Sequence, residues 1–257
     1  MGKNPQAAMP LMEHLAELRK RLVISIIAVI LSVIPAWIYY QDIFGFLRQP
    51  FDQVVNQSGS KASLTLGGVI DPFTLQIQVS LVTALIISCP IWLFQLWRFI
   101  TPGLHRNERR WALLFVSIAS PLVGLGAWFA YFVMPVSLQV LIGFTPDNVA
   151  NLIAVDRYFD FFFKMVLVFV IGALIPFVLV LLNFAGALTA AKIRSWWRLI
   201  IMSTFVFAAI ATPTGDPLNM SIVALPILLL IFIAWLIASL NDWRRKKSSK
   251  VDSSLNA

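Results

Sequence analysis

A single cysteine, Cys89, stands in the 257 residues, so no disulfide can form within the chain. Charge is scarce too. Charged residues make up 12% and apolar residues 59%, against roughly 25% and about 45–50% in a soluble globular chain. That balance cannot cover a soluble surface and specifies a membrane protein. Acids are rarer than bases, 12 against 20, which leaves a net charge of +8. The bases lie in short clusters beside apolar runs, with no recognition-helix or finger pattern, so the excess reads as membrane topology and not as nucleic-acid binding. The two histidines, His14 and His105, have no cysteine or second ligand group beside them, and no Walker or other nucleotide-binding pattern occurs. Neither metal nor cofactor is expected. A cleavable secretion signal is not expected either: the first apolar run starts only after Glu13 and Glu17 and exits through the bulky Pro35-Ala-Trp-Ile-Tyr-Tyr.

What is present is organised around Pro90 to Arg110, PIWLFQLWRFITPGLHRNERR. This stretch leaves an apolar segment past Trp92 and Trp97, turns at Thr101-Pro102-Gly103, and re-enters from Arg106, Arg109 and Arg110, which surround one acid, Glu108. Tryptophans favour the headgroup layer and arginines at span ends mark the cytoplasmic side, so the segment reads as an inside loop. Glu108 is then either a local neutraliser or an anion displayed for a cationic ligand.

The rest of the chain follows as one six-span membrane domain over residues 1–243, all-α in class, with its last two spans short. Residues 9–21 predict an amphipathic cytoplasmic helix, with Leu11, Leu15, Leu18 and Leu22 on one stripe and Glu13, Glu17 and Arg21 at four-residue spacing on another. The acid–base series reads either as a surface helix held by its own ion pairs or as a binding face. Spans are expected at 22–40, 73–96, 111–133, 158–182, 198–211 and 219–240. Cytoplasmic loops are expected at 97–110 and 183–197, external regions at 41–71 and 134–157, and a disordered basic tail at 244–257. Pro90 should kink the second span near its end, Met134-Pro135 should end the third, and Gly124 and Gly126 should admit a close neighbour. Pro176 interrupts the fourth and frees a carbonyl one turn upstream. The fifth has only about 13 apolar residues, or about 20 Å, less than the roughly 30 Å of hydrocarbon. Of the 20 Lys and Arg, all but Arg48, Lys61, Arg157 and Lys164 fall on the amino-terminal side of this arrangement, so both termini are predicted to be cytoplasmic.

Pro10-Leu-Met-Glu-His-Leu-Ala-Glu-Leu-Arg-Lys-Arg-Leu22, Pro90 with Gln95-Leu-Trp97, Phe99-Ile-Thr-Pro-Gly-Leu104, Glu108-Arg-Arg110 and Phe205 through Thr212-Pro-Thr-Gly-Asp-Pro217 occur in that order. In these motifs, which span essentially residues 9 to 243, the chain resembles TatC, the multi-spanning subunit of the twin-arginine protein translocase. The resemblance implies a cup-shaped receptor in a prokaryotic plasma membrane, not an enzyme. It implies binding of twin-arginine signal peptides on folded precursors, assembly with small single-span subunits of TatA/TatB type, self-association, and export driven by the proton motive force. It carries the signal-peptide role to Glu17 and Glu108, with Arg19, Pro102, Leu104 and Arg109 beside them. Gln78, Pro90, Gln95, Trp97, Gln139, Leu174, Pro176, Pro213 and Asp216 become structural or partner-contact positions.

Physical chemistry agrees on the acids, since guanidinium groups favour planar, charge-assisted carboxylate acceptors. The neighbouring arginines oppose it unless lipid phosphates or other anions engage them. One departure stands out: family members usually carry a glutamate in the fourth span two residues before a proline, where this chain has Leu174. Lys164, about ten residues away and nearer the outer surface, has the wrong sign to replace it and is expected to snorkel or to pair with Asp160. Asp216 reads either as turn and cap chemistry or as a support of the outer rim. Two other functions compete with the receptor reading. A small-solute secondary transporter would show internal repeats and charged, interrupted spans, which are lacking. A diverged family member with partial activity is the other, motivated by Leu174.

Overall fold

The structure, a computed structural model, describes residues 11–58, 62–100, 108–146, 149–184, 186–211 and 217–255. In chain order the elements are α1 (Leu11–Ile38), α2 (Tyr40–Ser58), β1 (Ala62–Thr65), α3 (Asp71–Ile87), α4 (Cys89–Ile100), α5 (Glu108–Gly143), β2 (Asn151–Ala154), α6 (Val155–Phe184), α7 (Ala190–Ser195), α8 (Trp197–Ala211) and α9 (Pro217–Leu255). The protein is mostly helical. Among the described residues, four helices are long and apolar enough to cross a membrane, over residues 14–38, 115–143, 155–184 and 217–245; α3 and α4 make a fifth if counted as one bent span, and a shorter apolar helix covers 197–210. The chain divides into two compact units, Met1–Ile43 with Gln76–Pro121 and Phe44–Leu75 with Leu122–Ala257.

In the first unit, α1 is continuous. The surface helix and the first span expected on either side of residue 21 form one uninterrupted helix, because no glycine or proline interrupts the chain between Leu11 and Ile34. Little of its apolar stretch is buried; Ile26, Ile27, Ile30, Leu31 and Ile34 all face outward, as a lipid-exposed helix requires. The expected kink at Pro90 is a full break, with α3 and α4 meeting at 60°. Proline cannot donate to the turn before it, and side chains add hydrogen bonds to the carbonyls around the break, where Ala84 O also keeps its bond from Ser88 N at 2.9 Å. Ser88 Oγ donates to Ala84 O at 2.7 Å and Trp92 Nε1 donates to Leu85 O at 2.9 Å.

In the second unit, α5 runs through Pro135 to Gly143, so Met134-Pro135 does not end the helix. Met134, Ser137, Leu138 and Ile142 are buried on one stripe, and that packing holds the helix past the missing N–H. Of the two glycines expected at a close approach, Gly126 is the one used: a Cβ there would lie 2.8 Å from Val170 Cα of α6, whereas Gly124 faces open space. The chain is not purely helical. β1 and β2 form a parallel two-stranded ladder with Ala62 opposite Asn151 and Thr65 opposite Ala154. Four-residue strands are too short to carry a periodic signal against long apolar helices.

The end of α6 is tied down by a polar network. Gly186, at φ +80°, turns the chain so that Ala187 N and Leu188 N reach Leu182 O at 2.9 and 3.1 Å. Asp242 of α9 accepts from Ala190 N at 2.7 Å and from Asn183 Nδ2 at 2.9 Å. Asn183 Nδ2 also donates to Leu188 O, and Asn241 Nδ2 donates to Asn183 Oδ1, each at 2.9 Å. Asn183 is fully buried, and these contacts are what makes that burial tolerable. The basic segment after residue 243, expected to be disordered, instead continues α9 to Leu255; no proline or glycine stops it.

Two stability effects follow. Gly126→Ala forces backbone of α5 and α6 apart and should cost about 1–3 kcal/mol, while Gly124→Ala should be neutral, read as thermal unfolding of the purified protein in detergent. Asp242→Ala strands the Ala190 N–H and one donor of Asn183 and should cost about 1–3 kcal/mol for each group left unpaired; Asp242→Asn, which keeps one acceptor, should lose less in the same assay.

Candidate functional site

The first unit brings the amino-terminal half of α1 onto α4. The two helices run antiparallel where they touch. His14 stacks on Phe99 with ring centroids 4.5 Å apart and planes at 13°, and two turns further along α1, Arg21 reaches Gln95, one turn back on α4. Trp97 stacks on Phe115 of α5 at 4.3 Å, and Arg98 lies over Phe94 at 5.9 Å. The leucine stripe anticipated for this stretch is largely outward-facing at Leu15, Leu18 and Leu22, so polar and aromatic contacts, not leucine packing, fix α1 to α4.

Glu17 and Arg21 sit at the i, i+4 spacing with the acid first, the favourable order on a helix. Arg21 Nε donates to Glu17 Oε1 at 3.0 Å and Nη2 donates to the same oxygen. Nη1 donates to Gln95 Oε1 at 3.2 Å. The side chains of Arg21 and Glu17 retain only 13% and 22% of their accessible surface, so the pair is largely withdrawn from solvent. The ion pairing anticipated within α1 is therefore present between Glu17 and Arg21. Its extension to Gln95, 74 residues away, is a tertiary contact that local spacing does not encode.

Arg19 is exposed on α1. Glu108 and Arg109 open α5, with their side chains outside the described residues, and Pro102, Leu104, Pro213 and Asp216 also lie outside them. Pro90 is exposed at the start of α4, and Gln95 and Trp97 are half-buried there. Gln78 is half-buried on α3, and Gln139 is exposed near the end of α5. The structure thus joins Glu17 to Gln95 through Arg21, and Trp97 to α5 through Phe115. Arg21 is the residue that sequence reasoning did not single out as part of the site; its spacing from Glu17 was the available signal.

In the second unit, Leu174 is half-buried on α6 and Pro176 is buried inside the same helix. Lys164 is exposed on α6. A cavity of about 310 Å³ lies beside the helix, lined by Ile175, Leu179, Phe207, Ile227 and Ile231 among others. Thr204, also in its wall, donates its hydroxyl to Ile200 O of its own helix at 2.8 Å. Apart from Thr204 and Ser203, these walls are mostly apolar. Among the described residues, no group of three or more His, Cys, Asp or Glu is placed to hold a metal ion.

Comparison with known proteins places this arrangement. The sequence model of the family Sec-independent protein translocase protein (TatC) matches residues 13–226. The chain is 38% identical over 244 residues to the Sec-independent protein translocase protein TatC of Frankia casuarinae, covering 92% of this chain and 67% of that one. It is 35% identical over 245 residues to the protein of the same name from Aquifex aeolicus, covering 94% of this chain and 100% of the relative. A crystal structure of the twin arginine translocase receptor TatC superimposes with a TM-score of 0.76 at 34% identity, over 88% of this chain and 99% of the other. A match across most of the length in sequence and in fold assigns the protein to membrane protein translocation and not to an enzyme class: the chain belongs to the TatC family of Sec-independent protein translocase subunits.

Proposed function

We propose that this chain is the receptor and core subunit of a twin-arginine translocase, with Glu17 and Glu108 as acceptors for the paired arginines of a signal peptide. The observation that carries the reading is Glu17 itself. Its carboxylate is mostly shielded from solvent, is fixed to α4 through Arg21 and Gln95, and already receives a guanidinium, the group a twin-arginine ligand would present. A shielded carboxylate binds a planar cation more strongly than an exposed one, because solvent screens it less. Arg19, Pro102, Leu104 and Arg109 complete the peptide-binding face in this reading, on an inner leaflet side assigned by the asymmetry of Lys and Arg. Six spans with both termini cytoplasmic are consistent with the four long apolar helices, the bent α3–α4 pair and the short α8.

In the same reading, small single-span subunits of TatA/TatB type and further copies of this chain dock on its lipid-facing surface, with Gln78 and Gln139 as polar contacts. Transport draws on the proton motive force, with no nucleotide hydrolysis here. A second reading, a diverged member with partial activity, is favoured by one observation: the position of the family's fourth-span glutamate is Leu174, an apolar, half-buried side chain on α6.

Site-specific crosslinking of a twin-arginine signal peptide tests recognition. Replacing Glu17 or Glu108 with Ala removes a charge-assisted acceptor and should lower peptide affinity by about 10- to 100-fold each, with unchanged membrane insertion and amount. Undiminished crosslinking in both variants would remove the recognition assignment. Complementation of a strain lacking its own subunit separates the two readings: export should be restored when the cognate small subunits are supplied, and failure with those partners present favours divergence.

A further inference from the structure

The carboxylate assigned above to a ligand arginine is not vacant, and the manner of its occupation has a consequence. A four-residue acid–arginine pair on a helix is commonplace, and Arg48–Asp52 in α2 is one: a single 3.0 Å contact between side chains 48% and 43% exposed. Arg21–Glu17 differs in two ways. Its side chains are 13% and 22% exposed, and its guanidinium has a third point of attachment, Nη1 to Gln95 Oε1 on a different helix. Nε and Nη2 converge on one oxygen, Oε1, the oxygen that an incoming guanidinium would contest.

We infer that Arg21 is a built-in surrogate for the ligand guanidinium, latched on Glu17 by Gln95, and that it sets which cations can take its place. The inference rests on the reading of Glu17 as a ligand acceptor. A largely desolvated carboxylate left bare is costly, so a resting partner keeps it neutralised until exchange occurs. Exchange then conserves charge: one guanidinium leaves Glu17 as another arrives. An incoming arginine can reproduce the planar, multi-nitrogen contact it displaces. A lysine ammonium is a compact, strongly hydrated point charge without that fork, and competes poorly against a guanidinium already in place. Arg21 and Gln95 thereby act as specificity-determining residues, raising the threshold for any cation and raising it most for lysine.

Affinity of the full chain in detergent for two synthetic apolar signal peptides, one carrying Arg-Arg and one Lys-Lys, tests this. Gln95→Ala changes no charge and removes only the anchor. It should bind the Arg-Arg peptide about threefold to tenfold more tightly and narrow the preference over Lys-Lys, as expected for loss of a hydrogen bond to a charged group. Arg21→Gln should move both quantities the same way, and the gain from Gln95→Ala should vanish when Glu17→Gln is added. Unchanged or weaker peptide binding by Gln95→Ala, with Glu17→Gln still impairing the otherwise unaltered protein, overturns the latch and leaves the recognition reading standing. Binding insensitive to Glu17→Gln overturns both. Thermal unfolding of each variant shows that the folded protein is being compared.

Discussion

Lipid offers a peptide group nothing to hydrogen-bond with, and that constraint governs how this chain is allowed to bend. Where it departs from a straight helix, nearby side chains hydrogen-bond to the backbone. At the α3–α4 break, Ser88 and the Trp92 indole serve the carbonyls of Ala84 and Leu85. At the end of α6, Gly186 turns the chain back on Leu182, and Asp242 takes the first N–H of α7. A tryptophan that composition alone would assign to an interfacial belt is thus also a hydrogen-bond donor to the main chain. Polar residues in the apolar sequence follow the same logic: Asn183 of α6 is fully buried because α9 and the α6–α7 turn together supply its partners.

The long helices were legible because membrane helices carry the strongest of sequence signals, an apolar run of fixed length. The break at Pro90 and the contact at Gly126 were also readable, each from a residue whose chemistry permits little else. What escaped were outcomes decided by tertiary packing. Gly124 looks the same as Gly126 in sequence, yet only one faces α6. Pro135 carries the usual stop signal, but a buried stripe from Met134 to Ile142 carries the helix through it. The basic tail has a composition that suggests disorder and a backbone that continues α9. The β1–β2 pair joins two four-residue segments far apart in sequence, beyond the reach of any local pattern.

The same distinction holds at the site. That Glu17 matters is suggested by a motif, and that Arg21 is near it is suggested by spacing. Only the fold shows Gln95 completing the arrangement and the pair withdrawn from water. The difference changes the meaning of the residues. On an exposed helix, the pair would be a modest contribution to helicity of about 0.3–0.5 kcal/mol. Shielded and anchored to α4, it becomes a tertiary contact, and the three residues act as one unit whose single replacements will not add.

The parallel ladder also bears on the order in which the protein is made. Ala62 cannot find Asn151 until α3, α4 and the whole of α5 have been synthesised. Until then the strand after α2 has an unsatisfied edge, and its pairing is among the most non-local events in the chain. A growing polypeptide halted anywhere before residue 151 would hold several helices and no sheet, so closure of this small strap marks the point in biogenesis at which the segment around α2 becomes fixed to α6.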